Sequence, residues 1–250
     1  MEKSGCIFPI LAVTLAEIQQ FYFVRLAAAA VRGAVISGRA TGDWDLAWIE
    51  SDLDSLPPED HARIVAAGLA AGLRLHRFKR TMQLPRVAKI LGWLRGFEPS
   101  SLADIGSGRG AFLWPLLDAF PTLPVTCLEA SAIRAIHLAE VHDGGIANLT
   151  VIHRDITSEE VLPPAHDIVT ALEVWEHIPH VARAAHHCVA LARRAVAVSV
   201  PSGEDDNPEH VHLLSREQIL TLLDLPRVRR LHFDAVPGHL LALATLHDHA

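Results

Sequence analysis

Ser101-Leu-Ala-Asp104-Ile-Gly106-Ser-Gly108-Arg-Gly110 is an apolar run that ends in an acid and opens into three glycines at every second position. Glycine reaches positive φ without strain and lets a ligand approach bare backbone. A helix that begins behind such a turn offers unpaired N–H groups and the positive end of its dipole. In an open α/β sheet this is the carboxyl edge of the strands, where ligands bind. Gly106, Gly108 and Ala111 also satisfy the G-x-G-x-x-G/A pattern of dinucleotide-binding turns. Asp104 argues against that use. An acid at a strand end is costly to bury unless it receives hydrogen bonds or meets a cation. A carboxylate there repels a pyrophosphate and suits the ammonium of an amino-acid moiety.

Downstream of this loop, short apolar runs alternate with helical stretches. The runs are Ser101–Ile105, Pro124–Glu129, Leu149–His153, Asp167–Leu172, Ala195–Val200, Val228–Phe233 and Leu240–Thr245. Helices are expected near 110–119, 131–141, 180–192 and 216–224, the last behind the capping box Ser215-Arg-Glu-Gln218. Near-continuous apolar strands alternating with helices mean an α/β fold, a mostly parallel sheet covered on both faces. Upstream, residues 1–98 read as helical. Thr14-Leu-Ala-Glu17 is a second capping box, and the helix behind it is expected to stop at Gly33. Further helices are expected from Ser55-Leu-Pro-Pro to about Arg80, and between Pro85 and Gly96. The chain therefore divides near residue 100, into a helical N-terminal region (1–98) and an α/β domain (99–250).

Two further acids follow the pattern set by Asp104. Glu129 ends the second strand, where a carboxylate can accept from two ribose hydroxyls. Asp155, in His153-Arg-Asp-Ile-Thr157, follows the third strand, where an acid can accept from an adenine amino group. Together with Ala171-Leu-Glu-Val-Trp-Glu-His-Ile-Pro179, these segments resemble the class I S-adenosylmethionine-dependent methyltransferases over roughly residues 85–245. The resemblance implies a Rossmann-like seven-stranded sheet of order 3-2-1-4-5-7-6 with the seventh strand antiparallel. It implies that Asp104, Gly106, Ser107, Gly108 and Gly110 line the methionine end of S-adenosyl-L-methionine. Glu129 with Ala130 would take the ribose, Asp155 with Ile156 the adenine, and Glu173 would face the cofactor.

The Glu173-Val-Trp-Glu176-His177 run has three readings. If it forms a helical turn, positions i, i+3 and i+4 share one face beside the sulfonium. In the first reading Glu173 faces the cofactor and Glu176 and His177 orient local groups without a metal, as in the quinone-biosynthesis-like methyltransferases that this run resembles. In the second, Glu176 or His177 is a catalytic general base for a substrate hydroxyl or amine. In the third, Glu173, Glu176, His177 and His212 (or His210) hold a divalent metal, with donors that suit Mn, Fe or Zn better than Mg. That arrangement resembles the small-RNA 3′-terminal ribose 2′-O-methyltransferases. The loop Asp205-Asp-Asn-Pro-Glu-His210-Val-His212 departs from their pattern by its acidity, which repels a phosphate backbone unless a cation intervenes.

Composition narrows the function classes. The 250 residues are 50% hydrophobic and 20% charged, enough for a large buried core and against global disorder. With Lys+Arg 22 and Asp+Glu 29 the net charge is 22 − 29 = −7, which disfavours a surface that binds nucleic acid non-specifically. Cys6, Cys127 and Cys188 show no C-x-x-C spacing, which fits a reducing cytosol rather than a disulfide scaffold. The apolar run from Ile7 is interrupted by Glu17, Gln19, Gln20, Arg25 and Arg32, so no membrane span is expected. Glu2 beside Lys3 is a poor signal-peptide start, so the expected location is cytoplasmic. Charge is segregated in the N-terminal half. Seven acids lie between Asp43 and Asp60, and eight bases without an acid between His61 and Phe97. Either the two groups neutralise one another, or Arg77, Lys79, Arg80 and Arg86 face the active-site mouth and attract an anionic substrate. The expected function is methyl transfer to an O, N or C nucleophile of a small-molecule acceptor, with the N-terminal helices as lid or substrate wall. The alternatives are metal-dependent methylation of an RNA 3′ end, a nucleotide-cofactor oxidoreductase, and a non-catalytic cofactor-binding partner subunit.

Overall fold

A computed structural model describes residues 13–80, 84–160, 165–203 and 206–247. Cys6, the start of the Ile7 run, Asp205 and residues 248–250 lie outside them. Seven strands form one sheet: β1 (Leu102–Ile105), β2 (Val125–Glu129), β3 (Leu149–His153), β4 (His166–Leu172), β5 (Ala192–Pro201), β6 (Val228–Val236) and β7 (His239–Leu246). Their order is β3-β2-β1-β4-β5-β7-β6, as the resemblance implied. The first five run parallel, and β7 pairs antiparallel with both β5 and β6.

The strands are apolar on both faces because both are covered. On one face α8 (Val181–Leu191) and α9 (Arg216–Leu222) enclose a core around Val169, Ala171, Val196 and Val198. On the other, α6 (Leu113–Ala119) and α7 (Ala132–Asp143) share a core with the N-terminal helices: α1 (Leu15–Phe21), α2 (Val24–Ile36), α4 (Pro58–Ala70) and α5 (Pro85–Phe97). A short α3 (Leu46–Glu50) was not foreseen. Both capping boxes form, at Thr14 with Glu17 and at Ser215 with Gln218. No helix among the described residues is long and apolar enough to cross a membrane.

Two expectations for the N-terminal helices need correction. The first helix breaks at Tyr22, whose extended backbone makes an antiparallel bridge with Lys79, and Phe23 N–H donates to the Phe78 carbonyl at 2.8 Å. Gly33 does not end α2 but lies inside it, where α2 crosses α7. A Cβ on Gly33 would sit 1.8 Å from the Glu140 carbonyl oxygen, and one on Gly144 would sit 1.8 Å from that of Ala29. The two backbones touch there because neither position has a side chain. At the same crossing the buried Glu140 carboxylate takes both Arg39 Nε–H and Nη2–H at 2.6 Å. The segment expected to be helical as far as Arg80 also stops early. After α4 ends at Ala70, only a 3₁₀ turn at His76–Phe78 follows.

The segregated charges are only partly paired with one another. Arg63 meets Asp60, but Asp54 pairs with Arg25 of α2, Arg80 reaches Asp118 and Lys89 reaches Asp234. Of the four bases considered for the mouth, only Arg86 lines the cleft described below.

Substituting Gly33 weighs two effects. Ala in a helix interior gains up to about 1 kcal/mol over Gly in propensity, but overpacking against fixed backbone costs about 1–3 kcal/mol. At 1.8 Å from a carbonyl the second wins, so Gly33→Ala should lower the urea midpoint. Gly92→Ala, in α5 with open space around its Cβ, should leave it unchanged or raise it.

Candidate functional site

At the carboxyl edge of β1, β2 and β4 lies an open cleft of about 1010 Å³. All ten residues expected to bind a cofactor except Gly110 line it: Asp104, Gly106, Ser107, Gly108, Glu129, Ala130, Asp155, Ile156 and Glu173. The glycine loop has positive φ at Gly106, Gly108 and Gly110. At Gly110 a Cβ would also strike the Trp114 ring at 2.1 Å, so this glycine seats the indole that anchors α6. Trp114 Nε1–H completes the seat by donating to the Arg109 carbonyl at 2.9 Å. The helix behind the loop starts at Leu113, slightly later than expected.

Asp104 is 2% exposed. Its carboxylate takes the Ser107 hydroxyl at 2.5 Å and the Thr170 hydroxyl at 2.7 Å. Burial pushes the carboxyl up to about 6, and the two hydrogen bonds pull the other way. Glu129, 3% exposed, takes Gly108 N–H at 2.9 Å on one oxygen and Ser131 N–H at 3.0 Å on the other. Each oxygen keeps a second lone pair for a ligand donor. Asp155 is exposed and takes the N–H and the hydroxyl of Thr157 at 2.7 and 2.8 Å. The neighbouring Ile156 carbonyl lies 2.6 Å from Nδ1 of the buried His187 on α8.

The Glu173–His177 run is not one helical face. Glu173 has φ +56°, a left-handed conformation uncommon for a non-glycine residue. The 3₁₀ turn begins only at Trp175. Glu173 therefore points away from Glu176 and His177. Its Oε1 accepts from the Ser199 hydroxyl at 2.7 Å and its Oε2 lies 3.0 Å from His239 Nε2, with Arg86 Nε 3.8 Å from Oε1. Of the four residues considered for a metal, Glu176 and His177 come together, and His210 joins them in place of His212. Ligand atoms of Glu176, His177 and His210 all lie within 4.8 Å of one another. Glu176 is fully buried, and the two imidazole rings stand edge to face at 4.6 Å. His212 Nε2 instead faces the Ile178 carbonyl at 3.0 Å.

Sequence reasoning missed Ser199, Thr170, His187 and His239. Ser199 and Thr170 are polar residues in otherwise apolar runs, which was an available signal. His239 sits at the tip of the β6–β7 hairpin, remote in sequence from Glu173, and nothing local marks it.

Residues 103–195 match the family model described as a methyltransferase domain. Over that stretch the chain is similar to class I S-adenosylmethionine-dependent methyltransferases. It is 32% identical over 147 residues to a ubiquinone biosynthesis O-methyltransferase of Alkalilimnicola ehrlichii, covering 57% of this chain and 56% of the relative. It is 32% identical over 119 residues to a ribosomal RNA small subunit methyltransferase G of Chloroflexus aggregans, covering 44% and 47%. The chain spans about half the length of these curated relatives. Among solved structures, the small RNA methyltransferase HEN1 superposes with TM-score 0.54 at 21% identity, over 66% of this chain and 25% of that one. The magnesium protoporphyrin IX methyltransferase of Synechocystis superposes with TM-score 0.51 at 17% identity, over 65% and 82%. Both likenesses are of fold.

Asp104 gives a signature before any ligand is added. Its carboxyl titrates near 3.8 when unfolded and near 6 when folded, so the folded state holds the proton more tightly between those values. The stabilisation is present at the acid end and is lost as pH rises through 6. Urea unfolding of the ligand-free protein should show this decline, and Asp104→Asn should flatten it; equal slopes in both proteins would mean Asp104 is not the group.

Proposed function

We propose that the chain binds S-adenosyl-L-methionine in this cleft and transfers its methyl group to an O, N or C nucleophile of a small-molecule acceptor. The single observation that carries the reading is the convergence of Asp104, Glu129 and Asp155, each at the end of a different strand, on one cleft. Asp104 would meet the amino group, Glu129 the ribose hydroxyls, and Asp155 with Ile156 the adenine edge. Beyond the glycine loop the cleft wall carries Arg86, Glu173, His177, Asn207 and Glu209. Val87, Leu172, Val174, Ile178 and Pro179 line the same cleft, so the wall pairs polar groups that can orient an acceptor with apolar surface that can bury it.

Methyl transfer proceeds by in-line attack on the sulfonium methyl. The protein contributes mainly alignment of nucleophile and methyl and removal of water between them. Of the two residues expected as general base, His177 lines the cleft, whereas Glu176 is fully buried and is not among its lining residues; Glu173 on the cleft wall joins His177 as a group placed to accept the proton a hydroxyl or amine releases. The N-terminal region would act as a wall rather than a lid. Among its described residues only Arg86 and Val87 of α5 line the cleft, and α1, α2 and α4 lie in the core around α7.

Calorimetry with S-adenosylhomocysteine tests the reading. Glu129→Ala should weaken binding by about 1–3 kcal/mol, the cost of losing a buried charge-assisted hydrogen bond. Affinity should also fall as pH drops below about 6 and Asp104 becomes neutral. Unchanged affinity in Glu129→Ala counts directly against the pocket assignment.

A second reading, methylation of an RNA 3′-terminal ribose with a divalent ion, is favoured by the Glu176, His177 and His210 donor group. Those three would hold the ion, which would supply a Lewis acid for paired hydroxyls. Mn²⁺ titration should then give a binding heat that Glu176→Gln and His210→Ala abolish. A flat titration, or a heat indifferent to both variants, removes this reading.

A further inference from the structure

Arg86 is the one base of the N-terminal series that reaches the cleft, and its charge is only partly met there. The side chain is 16% exposed. Among the described residues no hydrogen-bond acceptor faces its guanidinium, and its ion-pair partner Glu173 stands off at 3.8 Å. Glu173 is already engaged by the Ser199 hydroxyl at 2.7 Å and by His239 at 3.0 Å, so it offsets the Arg86 charge only partly. Arg86 also sits in the first turn of α5, which holds no acidic residue. A cation at that end of a helix opposes the dipole rather than complementing it. Helix stability therefore gives no reason for an arginine here.

We infer that the methyl acceptor carries a carboxylate or phosphate group, and that Arg86 holds this group so that the acceptor's nucleophile lies beside Glu173. This rests on reading the cleft as the methyl-transfer site and names the acceptor's class. The guanidinium presents its donors in a planar fork that matches carboxylate and phosphate oxygens two at a time. An anion at this place is also favoured by the positive end of α5. Glu173 does not close the fork, because its Oε1 accepts from Ser199 and stays 3.8 Å from Arg86 Nε, and its Oε2 faces His239. Val87, the next residue of α5, supplies an apolar contact on the same wall. The arrangement fixes orientation: the anionic end is anchored at α5 and the reactive end is delivered to the strand β4 side, where the sulfonium methyl would lie. Arg86 is thereby a binding and specificity residue for the acceptor, and it touches no part of the cofactor in this scheme.

The test uses full-length protein saturated with S-adenosylhomocysteine and paired probes that differ only in the anion: 3,4-dihydroxybenzoate against its methyl ester, and glycerol 3-phosphate against glycerol. Thermal-shift titration should show that at least one anionic member stabilises the wild type while its neutral partner does not. Arg86→Gln should weaken that binding about tenfold or more, the size expected for a lost charge-assisted pair. Arg86→Lys, a point charge without the fork, should retain part of it. Affinity of both variants for S-adenosylhomocysteine should stay within about twofold of wild type, which also reports that they fold. Equal response to charged and neutral probes in the wild type, or discrimination that survives Arg86→Gln intact, overturns the proposal. Failure of the wild type to bind S-adenosylhomocysteine would instead sink the cofactor reading, a result the calorimetry separates cleanly.

Discussion

The cleft depends on one buried carboxylate. Glu129 ends β2 and receives Gly108 N–H from the loop after β1 and Ser131 N–H from the start of α7. A charge with 3% exposure is tolerable only when hydrogen bonds replace the water it has lost. Those two donors do so, and in doing so they pin the glycine loop to the neighbouring strand. The loop in turn holds φ values that favour glycine at three positions. Gly106 N–H to the Leu128 carbonyl at 2.8 Å holds the start of the loop to β2, and the Glu129 carboxylate holds its middle at Gly108.

Asp104 is the counterpart on β1. It is satisfied by two hydroxyls rather than two amides, and burial still raises its carboxyl to about 6. An acid left so close to neutrality is poised to gain from a cation. The two acids thus differ in their partners: Glu129 ties the loop through two backbone amides, and Asp104 is held between two hydroxyls. Facing them, Arg86 on α5 and the strained Glu173 beyond β4 form the second wall. That wall is assembled from α5, β4, β5 and the β6–β7 hairpin, so its charge pattern belongs to no single motif.

The N-terminal helices complete the core rather than ornament it. Gly33 and Gly144 let α2 and α7 touch backbone to backbone, and the Arg39–Glu140 pair closes the same crossing. The acidic and basic stretches of this region do not simply cancel. Arg80 and Lys89 find acids in α6 and β6 instead, which ties the helical half to the sheet half.

The seven strands and the helices between them were legible in the sequence because burial on both faces demands continuous apolar runs, and a run bounded by turn residues has few other uses. Asp104, the glycines, Glu129, Asp155 and Ile156 were legible for a related reason: each occupies the end of such a run, and the parallel topology brings those ends to one edge. Local pattern could not foresee the break at Tyr22, the role of Gly33, or the turn of Glu173 away from Glu176. Each depends on a partner far along the chain: Lys79 for Tyr22, Glu140 for Gly33, and Ser199 with His239 for Glu173. The choice of His210 over His212 beside Glu176 and His177 is of the same kind. Periodicity and capping act over a few residues, so the sequence by itself determined the layered sheet and the edge where its strand-end acids meet. Long-range packing determined which side chains share a wall, and only the tertiary structure could decide that.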